Sequence, residues 1–376
     1  MKFIILTLLL TLFSFKAISL DTKANQAIVF DYNTNEILFE KNSRDIVPPA
    51  SMTKIMTVYA AFDRITQTNL SINDLCVISP RAYKMGGSRT FLEIDDKVSI
   101  DDLLKGIIVQ SGNDASVALA ECLAGTESDF AVLMNNYGKK IGLENTNFIN
   151  SSGWPEKNHY STVYDIALIS NALIRDFPNL YSYFKLKDFL YNNINQPNRN
   201  RLLNNLEGAD GLKTGFTKES GWGISASAKK NNRRITVVIN GTNSSRSRLN
   251  ESLNLFNWAF NQTSETKLFK KNQFIKKVDV WLGNKSTVNL ITKDDVISIL
   301  SFDQLQMIES QIYYQKPIPA PIKKGDQFGE IKIFTKGKET IIVPLVAESN
   351  VNNINPFLKA FAALKYLIFG TSLDEI

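Results

Sequence analysis

Residues 48–62 read PPASMTKIMTVYAAF. Pro48 and Pro49 end an extended stretch, because proline lacks an N–H and disfavours the helical region for the residue before it. From Ser51 onward the pattern turns helical, with Ile55, Val58, Tyr59 and Phe62 recurring on one face. Lys54 falls one turn into this apolar run, three residues after Ser51. Residues three apart share a helix face, so the ammonium can reach the serine hydroxyl. A serine is a weak nucleophile until a base takes its proton. A lysine can serve as that base only if burial or a second cation lowers its pKa. The helix N-terminus also favours negative charge developing on the serine oxygen.

The pair alone carries little information, since Ser-x-x-Lys also occurs at Ser182–Lys185, Ser227–Lys230 and Ser264–Lys267. Those copies lie in aromatic-rich, strand-end or charged contexts. Two further patterns stand elsewhere. IIVQSGNDASVALAE places Ser111, Gly112 and Asn113 in a turn between an apolar run and a helix, a setting that an ordinary helix cap also produces. ADGLKTGFT places Lys213, Thr214 and Gly215 on a strand, where a surface strand end with a turn glycine is the plain alternative. Lys-Thr-Gly occurs once in the chain.

The 376 residues are 44% hydrophobic and 21% charged, a globular composition with apolar material for two domains. The opening MKFIILTLLLTLFSFKAISLD has a positive Lys2, a short apolar run and small residues at Ala17 and Ser19. That reads as a secretory signal peptide over residues 1–19, with an uncleaved anchor as the alternative. Loss of Lys2 and Lys16 lowers the formal charge of +6 by two. The remaining positive charge suits an anionic phospholipid or cell-wall surface; no aromatic-interleaved basic motif points to nucleic acid. A single histidine, His159 in the polar loop WPEKNHYST, speaks against a zinc site and against a Ser-His-Asp triad. It reads as a solvated loop residue. Cys76 and Cys122 match no metal or redox spacing. Export would permit a bridge, but they read as two separate buried thiols.

QAIVFDYNTNEILFEKN alternates around Asn33-Thr34-Asn35 as a β-hairpin. Residues 66–205 read as mostly helical. GWGISASAKKNNRRITVVING reads as strand, turn, strand, and SRLNESLNLFNWAFNQ returns to helix. Strands that open and close a region with helices between them predict one sheet, its N-terminal hairpin paired with the late strands. From Lys267 short Ile- and Val-rich strands predict a separate all-β module. In the tail NINPFLKAFAALKYLIFGTSLDEI, Phe357, Phe361, Leu364 and Ile368 share a face flanked by Lys359 and Lys365. The run is too short to span a bilayer and suits the membrane interface, with docking on the protein's own core as the alternative.

The three patterns occur in the order Ser-x-x-Lys, Ser-x-Asn, Lys-Thr-Gly, at a helix start, an inter-helix turn and a strand. In order and context the chain resembles the penicillin-recognising serine enzymes. PPASMTK, VQSGNDASVALAE, YSTVYDIALISNALIRDFP, NRNRLL, ADGLKTGFT and WGISASAKKNNRRI look like the low-molecular-mass penicillin-binding proteins that act as serine-type D-alanyl-D-alanine carboxypeptidases. The trailing β-module and terminal helix are similar too. The resemblance implies an α/β (α+β), β-lactamase/transpeptidase-like catalytic domain over 20–266, an all-β domain over 267–350 and an amphipathic anchor over 353–376. It implies an exported enzyme at the periplasmic or extracytoplasmic membrane face, acting on peptidoglycan stem peptides, inhibited by β-lactams and needing no cofactor or metal.

By position, Ser51 would attack the carbonyl between two terminal D-alanines, Lys54 would take its proton, and Ser111 would relay a proton to the leaving amine beside Lys213. Asn113 would hold the substrate backbone, and the strand of Lys213, Thr214 and Gly215 would pair with it. Thr214 and Arg248, with Arg246 as competitor, would take the terminal carboxylate. The N–H groups of Ser51 and Phe216 would form an oxyanion hole. Relatives often carry histidine where this chain has Phe216. A D,D-endopeptidase or a β-lactamase on the same fold are the competing readings, although no Glu-x-x-x-Asn arrangement precedes Lys-Thr-Gly. A non-enzymatic wall-binding scaffold is more distant, because it would lose the motifs.

Overall fold

The computed structural model describes residues 20–335 and 338–355, with 358, 360, 361 and 364. The expected signal peptide and most of the expected tail helix lie outside the described residues. Strand β1 (Gln26–Asp31) and strand β2 (Ile37–Lys41) form the expected hairpin. β1 is not half-exposed as simple alternation suggests. Ile28 and Phe30 enter one apolar cluster while Ala27 and Val29 enter another on the opposite face. A strand covered on both faces reads as a nearly continuous apolar run, and AIVF is one.

The chain then makes a 3-10 turn at Ala50–Thr53 and the helix α1 (Lys54–Gln67). The long helices that follow are α2 (Asn113–Ala124), α3 (Glu127–Ile141) and α4 (Val163–Asp176), with shorter helical turns between them. Two small hairpins, Leu75–Val77 with Lys97–Ser99 and Asp188–Tyr191 with Ile194–Pro197, interrupt the expected helical stretch. Strands β3 (Ala209–Thr217), β4 (Gly221–Lys230) and β5 (Arg233–Thr242) return to the sheet, whose order is β2-β1-β5-β4-β3. β1 pairs antiparallel with β5, Val29 opposite Val237, so the hairpin joins the late strands as expected. Helix α5 (Ser245–Gln262) covers the second face through Leu255, Phe256 and Ala259. β3 is the edge strand.

β6 (Thr263–Phe269) follows α5 directly, four residues before the boundary that composition suggests. It pairs with β9 (Val296–Ser301). β7 (Phe274–Trp281), β8 (Thr287–Thr292), β10 (Glu309–Tyr314), β11 (Ile318–Pro319), β12 (Gln327–Phe334) and β13 (Ile341–Ala347) form a second sheet ordered β10-β12-β13-β8-β7-β11. Its core is separate, built on Val278, Leu290, Ile331 and Leu345.

Two expectations fail. Cys76 and Cys122 are a disulfide, not separate thiols, with Cα atoms 5.5 Å apart. They are 46 residues apart in sequence, and only the packing of α2 beneath the first small hairpin brings them together. His159 is buried rather than solvated. Its Nδ1 lies 3.1 Å from the N–H of Ile149 and its Nε2 2.9 Å from Thr53 Oγ1. Because Nδ1 must accept, Nε2 carries the proton and donates to Thr53. Burial pushes the ring's pKa down to about 4, so it stays neutral and braces the turn that carries Ser51.

Candidate active site

Ser51 sits in the 3-10 turn just before α1 rather than inside the helix. The turn is tightly constrained. Ala50 has φ 51°, a left-handed value uncommon for a residue with a side chain. A Cβ on Gly153 would lie 1.9 Å from Ala50 O, and one on Gly215 would lie 3.1 Å from Pro49 O. Glycine at both positions lets the 151–154 loop and strand β3 close on the turn from two sides.

Lys54 is fully buried at 0% exposure, yet among the described residues no carboxylate pairs with it. Its Nζ lies 3.2 Å from Ser51 Oγ, 2.7 Å from Asn113 Oδ1 and 2.5 Å from Ser152 O. The two carbonyl oxygens can only accept, whereas the serine hydroxyl can donate or accept. A neutral amine therefore keeps both carbonyl contacts and turns its lone pair to the Ser51 hydroxyl. Burial, then the nearby Arg199 guanidinium, lowers the Lys54 pKa to about 7, against a weaker opposite pull from Asp114 and Glu127. The expected second cation is thus principally Arg199, a residue the sequence reading did not assign. Its only signal was a basic pair in NRNRLL before the Lys-Thr-Gly strand.

Asn113 uses Oδ1 on Lys54 and donates from Nδ2 to Gly86 O at 2.8 Å. An amide nitrogen has two hydrogens, so one remains for a substrate carbonyl. Ser111 is buried, in a left-handed conformation at φ 68° and ψ 34°, at the end of a π-helical turn Gly106–Gln110. Asp114, also missed from sequence, accepts from the N–H groups of Thr90 and Phe91 at 2.8 and 3.0 Å. It fixes the loop that carries Gly87 and Ser88 along the cleft.

On the other wall, Lys213, Thr214, Gly215 and Phe216 run along edge strand β3. Lys213 is 2% exposed and donates to Thr214 O at 3.3 Å. Burial first, and then the charges of Lys54, Arg199 and Arg248, hold its pKa well below the usual lysine range. Arg248, on α5, stands 5.3 Å over the Trp222 ring and is lowered to about 10, again mainly by burial and then by Arg199 and Arg201. Arg248 lines the cleft, whereas Arg246 is not among its lining residues. Phe216 is 48% exposed and packs on Trp222 with ring centroids 4.3 Å apart.

These walls enclose a cleft of about 1180 Å³ that contains Ser51, Ser111, Asn113, Thr214, Phe216 and Arg248. Lys54 and Lys213 lie directly behind it. The pocket joins a serine with a buried lysine beside it to an excess of positive charge and an open strand edge. That combination suits acyl transfer on an extended peptide ending in a carboxylate. Among the described residues no group of three or more His, Cys, Asp or Glu could hold a metal ion.

Residues 14–243 match the family described as D-alanyl-D-alanine carboxypeptidase. The chain belongs to that family. Its activity is that of a serine-type D-alanyl-D-alanine carboxypeptidase. Residues 264–353 match the penicillin-binding protein 5 C-terminal domain. The carboxypeptidase DacC of Escherichia coli (strain K12) is 37% identical over 345 residues, covering 89% of this chain and 86% of that protein. The crystal structure of the carboxypeptidase DacD from Francisella tularensis matches with TM-score 0.79 at 30% identity, over 89% of this chain and 95% of that one. Penicillin-binding protein D2 from Listeria monocytogenes, solved in a cefotaxime-bound form, matches over 64% of this chain and 99% of its own, with TM-score 0.56 and 28% identity. This carboxypeptidase therefore has the penicillin-binding protein fold, an α/β catalytic part followed by a β-domain.

Proposed function

We propose that Ser51 is the nucleophile and neutral Lys54 its base, and that the acyl-enzyme forms on Ser51 after attack on the carbonyl between two terminal D-alanines. The observation that carries this is a fully buried lysine 3.2 Å from the Ser51 hydroxyl with carbonyl oxygens as its other partners. Ser111 passes a proton to the departing D-alanine amine, with Lys213 close by. Thr214 and Arg248 receive the terminal carboxylate, a task suited to a guanidinium fork. The N–H groups of Ser51 and Phe216 stabilise the oxyanion. Water then releases the shortened peptide. Penicillins acylate the same serine, a reading supported by the cefotaxime-bound relative.

The protein works outside the cytoplasm and rests on the membrane surface through its tail. The signal-like N-terminus and the exposure of Leu358, Phe361 and Leu364 support this. Among the described residues no helix is long and apolar enough to cross a membrane. Labelling with a fluorescent penicillin tests the chemistry: the native chain should label and Ser51→Ala should not. No labelling of the native chain at any dose would sink the proposal. On pentapeptide the products should be tetrapeptide and free D-alanine. Cleavage of cross-linked dimers instead would favour an endopeptidase. Deleting residues 353–376 should release the protein from membranes with soluble activity intact; continued sedimentation with membranes would refute the anchor.

A further inference from the structure

The stretch that leads into the tail is held on both sides. Asn353 bridges Gly283 and Val351 bridges Ile322, so residues 351–353 run between two loops. Asn284 donates its N–H to Asn352 O at 2.8 Å, and Asn352 donates its own to Asn284 Oδ1 at 2.9 Å. On the other side the N–H of Lys324 donates to Asn350 Oδ1 at 2.7 Å. The first loop, between β7 and β8, carries Lys285. The second, just before β12, carries Lys323 and Lys324. All three lysines are exposed, and among the described residues none has a carboxylate partner. Asp326 and Glu348 stand at the same end, but Asp326 accepts from the N–H of Lys323 at 3.0 Å and Glu348 from Asn289 Nδ2 at 2.8 Å.

Strand pairing shows which end of the β-domain this is. β12 and β13 pair from Gln327 opposite Val346 to Ile333 opposite Ile341. The turn that joins them carries Lys338, which meets Glu36 of the catalytic part. Residues 321–326 and 348–353 therefore lie at the opposite end of these strands. β8 runs antiparallel to β13 with Leu290 opposite Ala347, which puts the Lys285 loop at that end too. The eight residues of β12 separate the two ends by about 25 Å. Beyond the exit, Leu358, Phe361 and Leu364 are exposed. In binding at a membrane interface, apolar burial and attraction to anionic lipid add together.

We propose that Lys285, Lys323 and Lys324 form a basic collar around the exit of the tail, and that this collar binds the headgroups of an anionic phospholipid surface. The inference rests on the reading of the tail as a membrane-surface anchor and adds a second, electrostatic contact made by the β-domain itself. The β-domain then meets the membrane with its tail end, and the catalytic part is held at the far end of its strands.

Vesicle sedimentation tests it, with phosphatidylcholine alone and with equal parts phosphatidylcholine and phosphatidylglycerol. The ratio of the two dissociation constants isolates the charge of the lipid. A lysine near an anionic surface is worth about fivefold in affinity. Lys285→Gln, Lys323→Gln and Lys324→Gln combined should lower the preference for phosphatidylglycerol about 10- to 100-fold and leave binding to phosphatidylcholine unchanged. Arginine at the same three positions should keep the preference, and salt of about 0.5 M should remove most of it from the native chain. Loss of the same charge on the catalytic part, by Lys139→Gln, Lys157→Gln and Lys229→Gln combined, should leave the preference in place. A glutamine variant that retains the native preference overturns the collar. So does an equal fall on both vesicles, or an equal loss in the catalytic-part variant, which net charge alone would produce. Failure of the native chain to bind either vesicle would sink the anchor reading itself and the collar with it.

Discussion

The catalytic cleft and the junction between the two sheets both bury cations, but they treat them in opposite ways. At the junction the half-buried cations Arg233 and Lys338 each meet a carboxylate. Arg233 donates to Asp31 at 2.6 Å and to Thr263 O at 2.8 Å, tying the hairpin to the end of α5. Lys338 of the β-domain meets Glu36 of the β1–β2 turn, whose carboxylate also accepts from the N–H of Ile299 at 3.1 Å. Nearby on the first sheet, Arg234 and Asp210 form a two-pronged pair at 2.8 Å. In the cleft, Lys54, Lys213 and Arg248 have no such partner among the described residues, and each has a lowered pKa. Paired burial holds domains together. Unpaired burial stores a tendency to lose a proton or to accept an anion, which is what a base and a carboxylate site require.

This contrast can be broken from either side. The largest effect is expected at Lys54. Lys54→Met should lower acylation by about 10³-fold or more, in keeping with loss of a positioned general base. In the native chain the acylation rate should rise with pH through about 7, since the free amine is the active form and the pKa lies near 7. A flat profile between pH 6 and 8, measured by stopped-flow with a penicillin, would argue against Lys54 as the base.

Next comes Arg233→Ala, which leaves Asp31, 1% exposed, without its cation. Removing one partner of a buried pair costs about 3–5 kcal/mol, so chemical denaturation should show a loss of that order while acylation per folded molecule persists. Arg248→Gln should act the other way round, leaving stability nearly untouched. Loss of a hydrogen bond to a charged group, about 1.5–3 kcal/mol, should lower kcat/KM on peptide about 10- to 100-fold, mainly through KM. The smallest effect is expected for Glu36→Gln, about 1 kcal/mol, because the amide oxygen can still accept from Ile299. Limited proteolysis at the β-domain boundary should detect it, and an unchanged pattern would show that Lys338 does not lock the domains.

Much of this site is legible along the chain. Ser51 and Lys54 are one turn apart, and Ser111 and Asn113 flank a glycine, so local geometry alone places each pair. The Lys-Thr-Gly triplet lies on a strand whose apolar texture is plain, and the hairpin before it pairs as the alternation implies. The misses at His159, at the two cysteines and at Arg199 are long-range. His159 looks solvated in WPEKNHYST because nothing in that loop shows that Thr53 and Ile149 will close over it. Cys76 and Cys122 look independent because their meeting depends on how a helix packs beneath a hairpin. Arg199 looks like one more basic loop residue until the fold brings its charge to bear on Lys54.

The sequence by itself determined which groups are present, their local spacing and the secondary structure that carries them, because those follow from backbone sterics and apolar periodicity over a few residues. Only the tertiary structure decided that Lys54 titrates near neutrality, that Lys213 and Arg248 lie buried without counter-charge, and that Trp154 faces the same cleft as Phe216. Desolvation and Coulomb repulsion depend on distances between residues far apart in the chain, and those distances exist only once the sheet and helices have packed.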